Sequence, residues 1–277
     1  MRTRNLLAAT GKTVAVAAML FWSLFPIAFI VMSSLKPGQD IFAVPPRYVF
    51  EPTFEHYVSL WQQWGAFFDG LLNSTIITAG ATVIAIAGST FAGYVYSRNS
   101  SRMLDASVLF LIVVRLIPPI VVTLPLFPIV NVLGLNDTHA IMMVLYATFF
   151  VSLGTVLMRT FIDQIPRELD EAAEIDGAGR LTVLRRVIVP LAAPGILAVA
   201  VFVVVFAWNE YLFAFIFTST RAKTAPLVIS EMIGSIDGVD WGILFAASTV
   251  QLAPVLLFVV FMNRYLVAGL TAGATKG

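Results

Sequence analysis

No cysteine occurs in the 277 residues, so neither a disulfide nor a thiolate site is available. Histidine occurs twice, as His56 and His139, too few and too far apart in sequence for a metal site. Charge is scarce as well. Asp, Glu, Lys and Arg make up 12% of the chain, against about 25% in a soluble domain. A formal net charge of +1 gives no sign of a nucleic-acid partner. What the chain has in abundance is apolar surface: 59% of residues are hydrophobic. No soluble fold of this length hides that much in one core, so bilayer lipid is the expected solvent.

Charge-poor runs place the spans. A hydrocarbon core of about 30 Å needs roughly 20 apolar helical residues. Six segments qualify: Val14–Met32, Gly70–Ser97, Ala106–Asn131, Thr138–Met158, Pro194–Asn209 extended to Thr218, and Trp241–Asn263. Lipid cannot hydrogen-bond the backbone, so all six are expected to be helices. The face that holds both termini carries twelve Lys and Arg, from Arg2 and Arg4 to Arg264 and Lys276. The opposite face has four: Lys36, Arg47, Arg221 and Lys223. Basic residues are retained inside, which predicts a multi-pass membrane protein with both termini in the cytoplasm. The first span is expected to stay attached, because its apolar run of about 19 residues exceeds a signal segment and no small-x-small cleavage site follows. An external stretch then reaches to Trp64, with a short interfacial helix expected over Phe54–Trp64.

The longest cytoplasmic stretch, residues 159–193, carries the most pattern. Pro166 suits a first helical turn, and Glu168, Asp170 and Glu171 follow where the helix dipole favours anions. Ile165, Leu169, Ala172 and Ala173 recur at helical spacing. Gly177 and Gly179 permit a left-handed exit. A second short helix is expected over Leu181–Val189, with Leu181, Leu184 and Ile188 on one face and Pro190 as its stop. The result is a compact knob of two helices around a glycine elbow.

Glu171-Ala172-Ala173, three residues, Gly177, nine residues, then Val187-x-Val189-Pro190 resembles the signature loop of binding-protein-dependent ABC importer permeases. There the pattern is E-A-A, three residues, G, nine residues, I-x-L-P. Two valines stand here for isoleucine and leucine, keeping shape and polarity. The resemblance implies an all-α membrane protein with six transmembrane helices, a type I ABC importer permease core and a cytoplasmic coupling helix. In the family this helix docks into a groove of the ATPase subunit, the alanines allowing close approach and the glutamate anchoring. The bland alternative is an amphipathic connector.

Two further stretches resemble the maltose/glycerol-phosphate, carbohydrate-importing group. The end of the chain contains Gly269-Leu270-Thr271-x-Gly273-x-x-Lys276-Gly277, like tails that reach into the ATPase dimer; a solvated, frayed terminus is the other reading. In the fifth span, Trp208-Asn209-Glu210-Tyr211 is like a W-N-E-[FY] string of the same group. Glu210 lies about 15 residues into that span, near 22 Å up, and an intramembrane carboxylate is costly unless it faces protein or water. Asn209 and Glu210 line a substrate path, with Trp208 and Tyr211 stacking on sugar faces, or else they make interhelix contacts. Arg115, with Pro118-Pro119 just beyond, either satisfies freed carbonyls or faces the same cavity.

The expected organisation is an N-terminal end with the first helix and external loop over 1–66, a transmembrane core over 67–265, and a tail over 266–277. The resemblance implies a second and different permease, two ATPase subunits, an extracytoplasmic solute-binding protein, and a sugar or polyol as cargo. No phosphate-binding glycine loop with lysine appears, so ATP-Mg belongs to the partner ATPase and no cofactor to this chain. A membrane enzyme would need a nucleophile, base or metal set at membrane depth, and none is visible. A secondary transporter or channel would predict internal repeats or coupling acids in several spans, and gives the signature loop no role.

Overall fold

The computed structural model describes the backbone of residues 2–236 and 238–274 and the side chains of residues 10–236 and 238–262. Among these residues the protein is all-helical. In chain order the helices are α1 (Arg2–Ser34), α2 (Gly38–Ile41), α3 (Glu55–Gln63), α4 (Gly65–Arg98), α5 (Arg102–Val114), α6 (Pro119–Val132) and α7 (His139–Ile162). There follow α8 (Glu168–Ile175), α9 (Arg180–Val183), a π-helical turn over Leu184–Ile188, and α10 (Val189–Leu191). The chain finishes with α11 (Ala193–Trp208), α12 (Leu212–Phe217), α13 (Ala225–Ile233) and α14 (Trp241–Ala274). The short helix expected over Phe54–Trp64 is present as α3, over Glu55–Gln63.

Among the described residues four stretches are long and apolar enough to cross a bilayer unbroken: Thr10–Ser34, Gly65–Arg98, His139–Ile162 and Trp241–Met262. Two helix pairs meet the same test together but are bent, so the total reaches six if each pair is one span. The segment Ala106–Asn131, expected as one helix, is one of these: α5 and α6 meet at 95°. The cause is Pro118-Pro119. Neither proline donates an N–H, and the residue before a proline is pushed out of the helical region. The chain closes α5 with tight turns, Arg115 N–H to Ile112 O and Leu116 N–H to Val113 O, and Pro119 starts α6 at a position that tolerates it. The second pair, Arg180–Leu191 with Ala193–Trp208, bends by 77°.

Pro190 also departs from its expected role. It sits in the first turn of α10 rather than ending a helix. The π-helical turn before it shifts the bonding, with the Val189 N–H reaching Leu184 O, so the missing proline N–H costs no regular bond.

The chain forms two compact units, Met1–Phe68 with Ile229–Ala253, and Asp69–Val228 with Pro254–Gly277. In the first, His56 hydrogen-bonds Lys36 O at 2.7 Å, Ser34 and Tyr57 share a hydroxyl bond of 2.7 Å, and Arg47 pairs with Asp40 at 2.9 Å. A Cβ on Gly242 would fall 2.1 Å from the His56 ring, so only glycine lets the first turns of α14 approach. On α1 the large side chains Met19 and Trp22 stand exposed, as suits a lipid-facing helix.

The second unit packs α4, α7 and α11 around Tyr146, Phe150, Met158, Val199 and Val203. Close approach depends on small residues. A Cβ on Gly93 would meet Met158 Cβ at 2.7 Å and Arg159 N at 3.0 Å, and one on Gly195 would meet the Phe161 ring at 2.6 Å. Such interfaces are how membrane helices pack without a hydrophobic drive between them.

Candidate functional site: the glycine elbow, the fifth-span break and the Asp137 knot

The signature loop folds as two short helices around a glycine elbow. α8 starts one residue after Arg167, with Glu168, Asp170 and Glu171 in its first turn. At its far end Gly177 adopts φ +85°. The Gly177 N–H reaches Glu174 O at 3.0 Å and the Ala178 N–H reaches Ala173 O at 2.9 Å. These two bonds form the Schellman motif, which a left-handed residue makes possible.

The expected apolar stripe splits into two faces. Ile165 is buried and Ala173 packs on the core, as do Val183, Leu184 and Ile188. Leu169, Ala172, Ile175 and Leu181 face outward, and Ile175 is 86% exposed. Glu171 is exposed beside them. The inward acid is its neighbour Asp170, which accepts from Arg98 Nε. Arg98 also donates to Ile165 O at 3.1 Å and Ile162 O at 3.4 Å, and Arg167 donates to Ser97 O at 2.8 Å. A groove of about 430 Å³ lies alongside, lined among others by Tyr94, Arg98, Asp170, Glu174, Arg180 and Leu181.

The fifth-span string does not form one surface. Trp208 is buried at the end of α11 and borders a groove of about 360 Å³ with Thr78, Thr82, Val204 and Pro254. Asn209 is exposed and folds its amide back onto Val205 O at 2.7 Å. Glu210 sits in the break before α12, where its carboxylate accepts the N–H groups of Phe213 at 2.9 Å and Ala214 at 3.4 Å. Tyr211 stacks on Phe215, ring centroids 5.6 Å apart. Arg115, at the α5–α6 bend, lies over Phe149 at 5.2 Å and Phe202 at 5.6 Å. Phe149 in turn touches Phe213, which touches Tyr146. Arg115 and Glu210 thus border one aromatic cluster, and no ion pair joins them among the described residues. Asn136 and Asn131 hydrogen-bond each other at 3.0 Å.

A third cluster was not foreseen. Asp137, at φ 58°, accepts the backbone N–H groups of Ser219, Thr220, Arg221 and Ala222, plus the hydroxyls of Ser219 and Thr220. Burial alone would raise its pKa. The N–H groups of Arg221, Ala222 and Ser219 with the Thr220 hydroxyl outweigh burial and hold it well below the ordinary carboxylate range. Beside it Asn73 donates to Arg221 O and Lys223 O and accepts from His139 Nε2 at 2.7 Å. Among the described residues no three His, Asp or Glu side chains converge to hold a metal ion.

Comparison with known proteins decides the family. The family model for "binding-protein-dependent transport system inner membrane component" matches residues 84–272. The chain belongs to that family. This inner membrane component is 35% identical over 263 residues to the trehalose transport system permease protein SugB of Mycobacterium tuberculosis, covering 92% of this chain and 93% of the relative. It is 32% identical over 256 residues to the trehalose/maltose transport system permease protein MalG of Thermococcus litoralis, covering 92% of each. Among solved structures, a bacterial ABC transporter involved in the import of the acidic polysaccharide alginate contains a chain of the same fold. The TM-score is 0.78 at 20% identity, over 96% of this chain and 98% of that one.

The match spans the elbow, both bends and the contact of Asp137 with residues 219–222. The pairing of Arg98 with Asp170 has no local signal in the sequence beyond an arginine that closes a long apolar run. The tail residues Gly269, Leu270, Thr271 and Gly273 fall on the last turns of α14, whose side chains lie outside the described residues, as does Lys276 altogether.

Proposed function

We propose that this inner membrane component is one permease of an unlike pair that carries a sugar or polyol inward, driven by two separate ATPase subunits. The observation that carries the reading is the elbow: a short helix held by a Schellman turn presents Leu169, Ala172, Ile175 and Glu171 outward, a shape and chemistry suited to a partner groove. Glu171, Ala172, Ala173 and Gly177 then form the ATPase-coupling unit, with Pro190 closing the loop. The trehalose and maltose transport named for the relatives supports a sugar cargo. Lys and Arg on the termini's face support a cytoplasmic elbow and cytoplasmic ends.

In this reading the chain performs no chemistry and is not an enzyme; ATP-Mg is handled by the ATPase. An extracytoplasmic solute-binding protein delivers cargo to the face that carries Arg221 and Lys223. Closure of the ATPase pair pushes α8, and the permease pair turns from inward- to outward-facing. The path runs past the aromatic cluster bordered by Arg115 and Glu210, with Trp208, Asn209 and Tyr211 at the α11–α12 break. The tail 269–276 lies against the ATPases.

Affinity purification of the tagged chain from its native membrane in mild detergent tests this. A P-loop ATPase and a second multi-span permease are expected to co-purify. A lone chain that transports trehalose in vesicles without ATP would overturn the proposal.

A further inference from the structure

We propose that Arg98 and Asp170 are positioning residues that join the coupling helix α8 to the second span α4, so that the two move as one part. The inference rests on the ATPase-coupling reading above and adds the route by which a push leaves the loop.

α8 hangs between two soft connections. On one side it follows the Ile165-Pro166 turn, and on the other it ends at the left-handed Gly177. Between them Ala173 packs on the core. The third attachment comes from α4. Arg98, the last residue of α4, spreads its guanidinium over Asp170, Ile162 O and Ile165 O. Arg167 returns a bond to Ser97 O. The fork thereby ties the end of α7, the turn before α8 and the first turn of α8 to a single span. With Asp170 held inward, Leu169, Ala172 and Ile175 are forced outward.

Both ionic side chains are 11% exposed. A buried pair adds little net stability over apolar residues of the same volume, whereas losing one partner strands a charge. Such a pair is better explained by the geometry it imposes than by stability. Arg98 reaches Asp170 through one oxygen, Oδ2, and Oδ1 is buried without a hydrogen-bond partner.

The cysteine-free chain permits a direct test that needs no knowledge of the cargo. Asn99 and Glu168 are exposed, one just past α4 and the other at the start of α8. Spin labels on Asn99→Cys and Glu168→Cys, in the complex with its co-purifying ATPase, give the α4–α8 distance without nucleotide and after trapping with ATP and vanadate. The expected result is one distance, the same in both states. Asp170→Asn, which removes the charge and little volume, should make the distance broad or nucleotide-dependent. Exchanging the charges, Arg98→Asp with Asp170→Arg, should restore one fixed distance, and Arg98→Lys should give an intermediate spread. A wild-type distance that changes by about one helical turn, roughly 5 Å, on trapping would overturn the joint, as would an Asp170→Asn complex with an unchanged distance. Absence of any ATPase from the wild-type preparation would instead sink the coupling reading itself, and the joint with it.

Discussion

Asp137 and Arg221 lie 84 residues apart, yet both carboxylate oxygens of the first accept the backbone N–H of the second, at 3.1 and 3.0 Å. The acid also takes the N–H groups of Ser219, Thr220 and Ala222, so it pins the chain that leaves α12 to the turn that enters α7. Its left-handed backbone is one that Asn tolerates as well as Asp. Asp137→Asn therefore keeps the backbone but removes the charge and turns one of the two acceptor oxygens into an N–H donor that faces donors. Charge-assisted bonds exceed neutral ones, and the variant is expected to lose about 2 kcal/mol at neutral pH. A depressed native pKa means that the stabilisation is complete above the unfolded-state value, near 4, and fades as pH falls toward the native one. Thermal unfolding in nanodiscs should show a wild-type advantage that is constant from pH 8 to 5 and shrinks below about pH 4. Equal midpoints at pH 7 would refute the assignment.

The elbow was readable because its determinants are local: Pro166, the acids of the first turn and Gly177 lie within one short stretch, and each acts on its own backbone. The Asp137 knot was not readable, since nothing near Asp137 announces that four N–H groups will converge from residues 219–222. Arg98 and Asp170 are likewise 72 residues apart. The bend at Arg115–Pro118 had its signal in plain sight. The helix expected over Ala106–Asn131 comes in two pieces, α5 and α6, because a hydropathy run does not say how far two adjacent prolines bend the chain. Pro190 misled in the opposite direction, because a π-helical turn absorbed the missing donor that was expected to stop the helix.

The α4–α7 contact depends on Gly93, above whose Cα sit Met158 Cβ and the Arg159 backbone. Backbone does not yield as a flexible side-chain tip would. Gly93→Leu should force the helices apart and cost about 1–3 kcal/mol, seen as a lower unfolding midpoint in nanodiscs. Gly65→Leu, with nothing within 4 Å of the added Cβ, serves as the control. Similar midpoints for the two variants would refute the close-packing argument.

Gly177 offers a graded test of the elbow. At φ +85° an L-residue pays about 1–2 kcal/mol, Asn less, and proline cannot adopt the angle at all. Space is not the issue, since nothing lies within 4 Å of an added Cβ. Membrane insertion should be unaffected throughout the series. ATPase recovery in pull-down should fall in the order Gly, Asn, Ala, Pro, and uptake with it, reaching background for Gly177→Pro. Normal uptake by the proline variant would remove the elbow from the coupling machinery.

Glu210 separates two roles that the sequence left equal. Its carboxylate caps α12 through the N–H groups of Phe213 and Ala214, so the acid has a local use that needs no cargo. Helix capping requires an acceptor oxygen, not a charge. If capping is its work, Glu210→Gln keeps an oxygen for Phe213 and should leave stability and uptake close to wild type. Glu210→Ala removes the acceptor and should cost about 1 kcal/mol, with uptake falling only as far as folded protein falls. The capping geometry favours that outcome. Parallel measurement of the nanodisc unfolding midpoint and the initial uptake rate for both variants decides it. A glutamine variant with an unchanged midpoint and uptake reduced tenfold or more, about 1.4 kcal/mol of lost interaction, would place the charge itself on the substrate path.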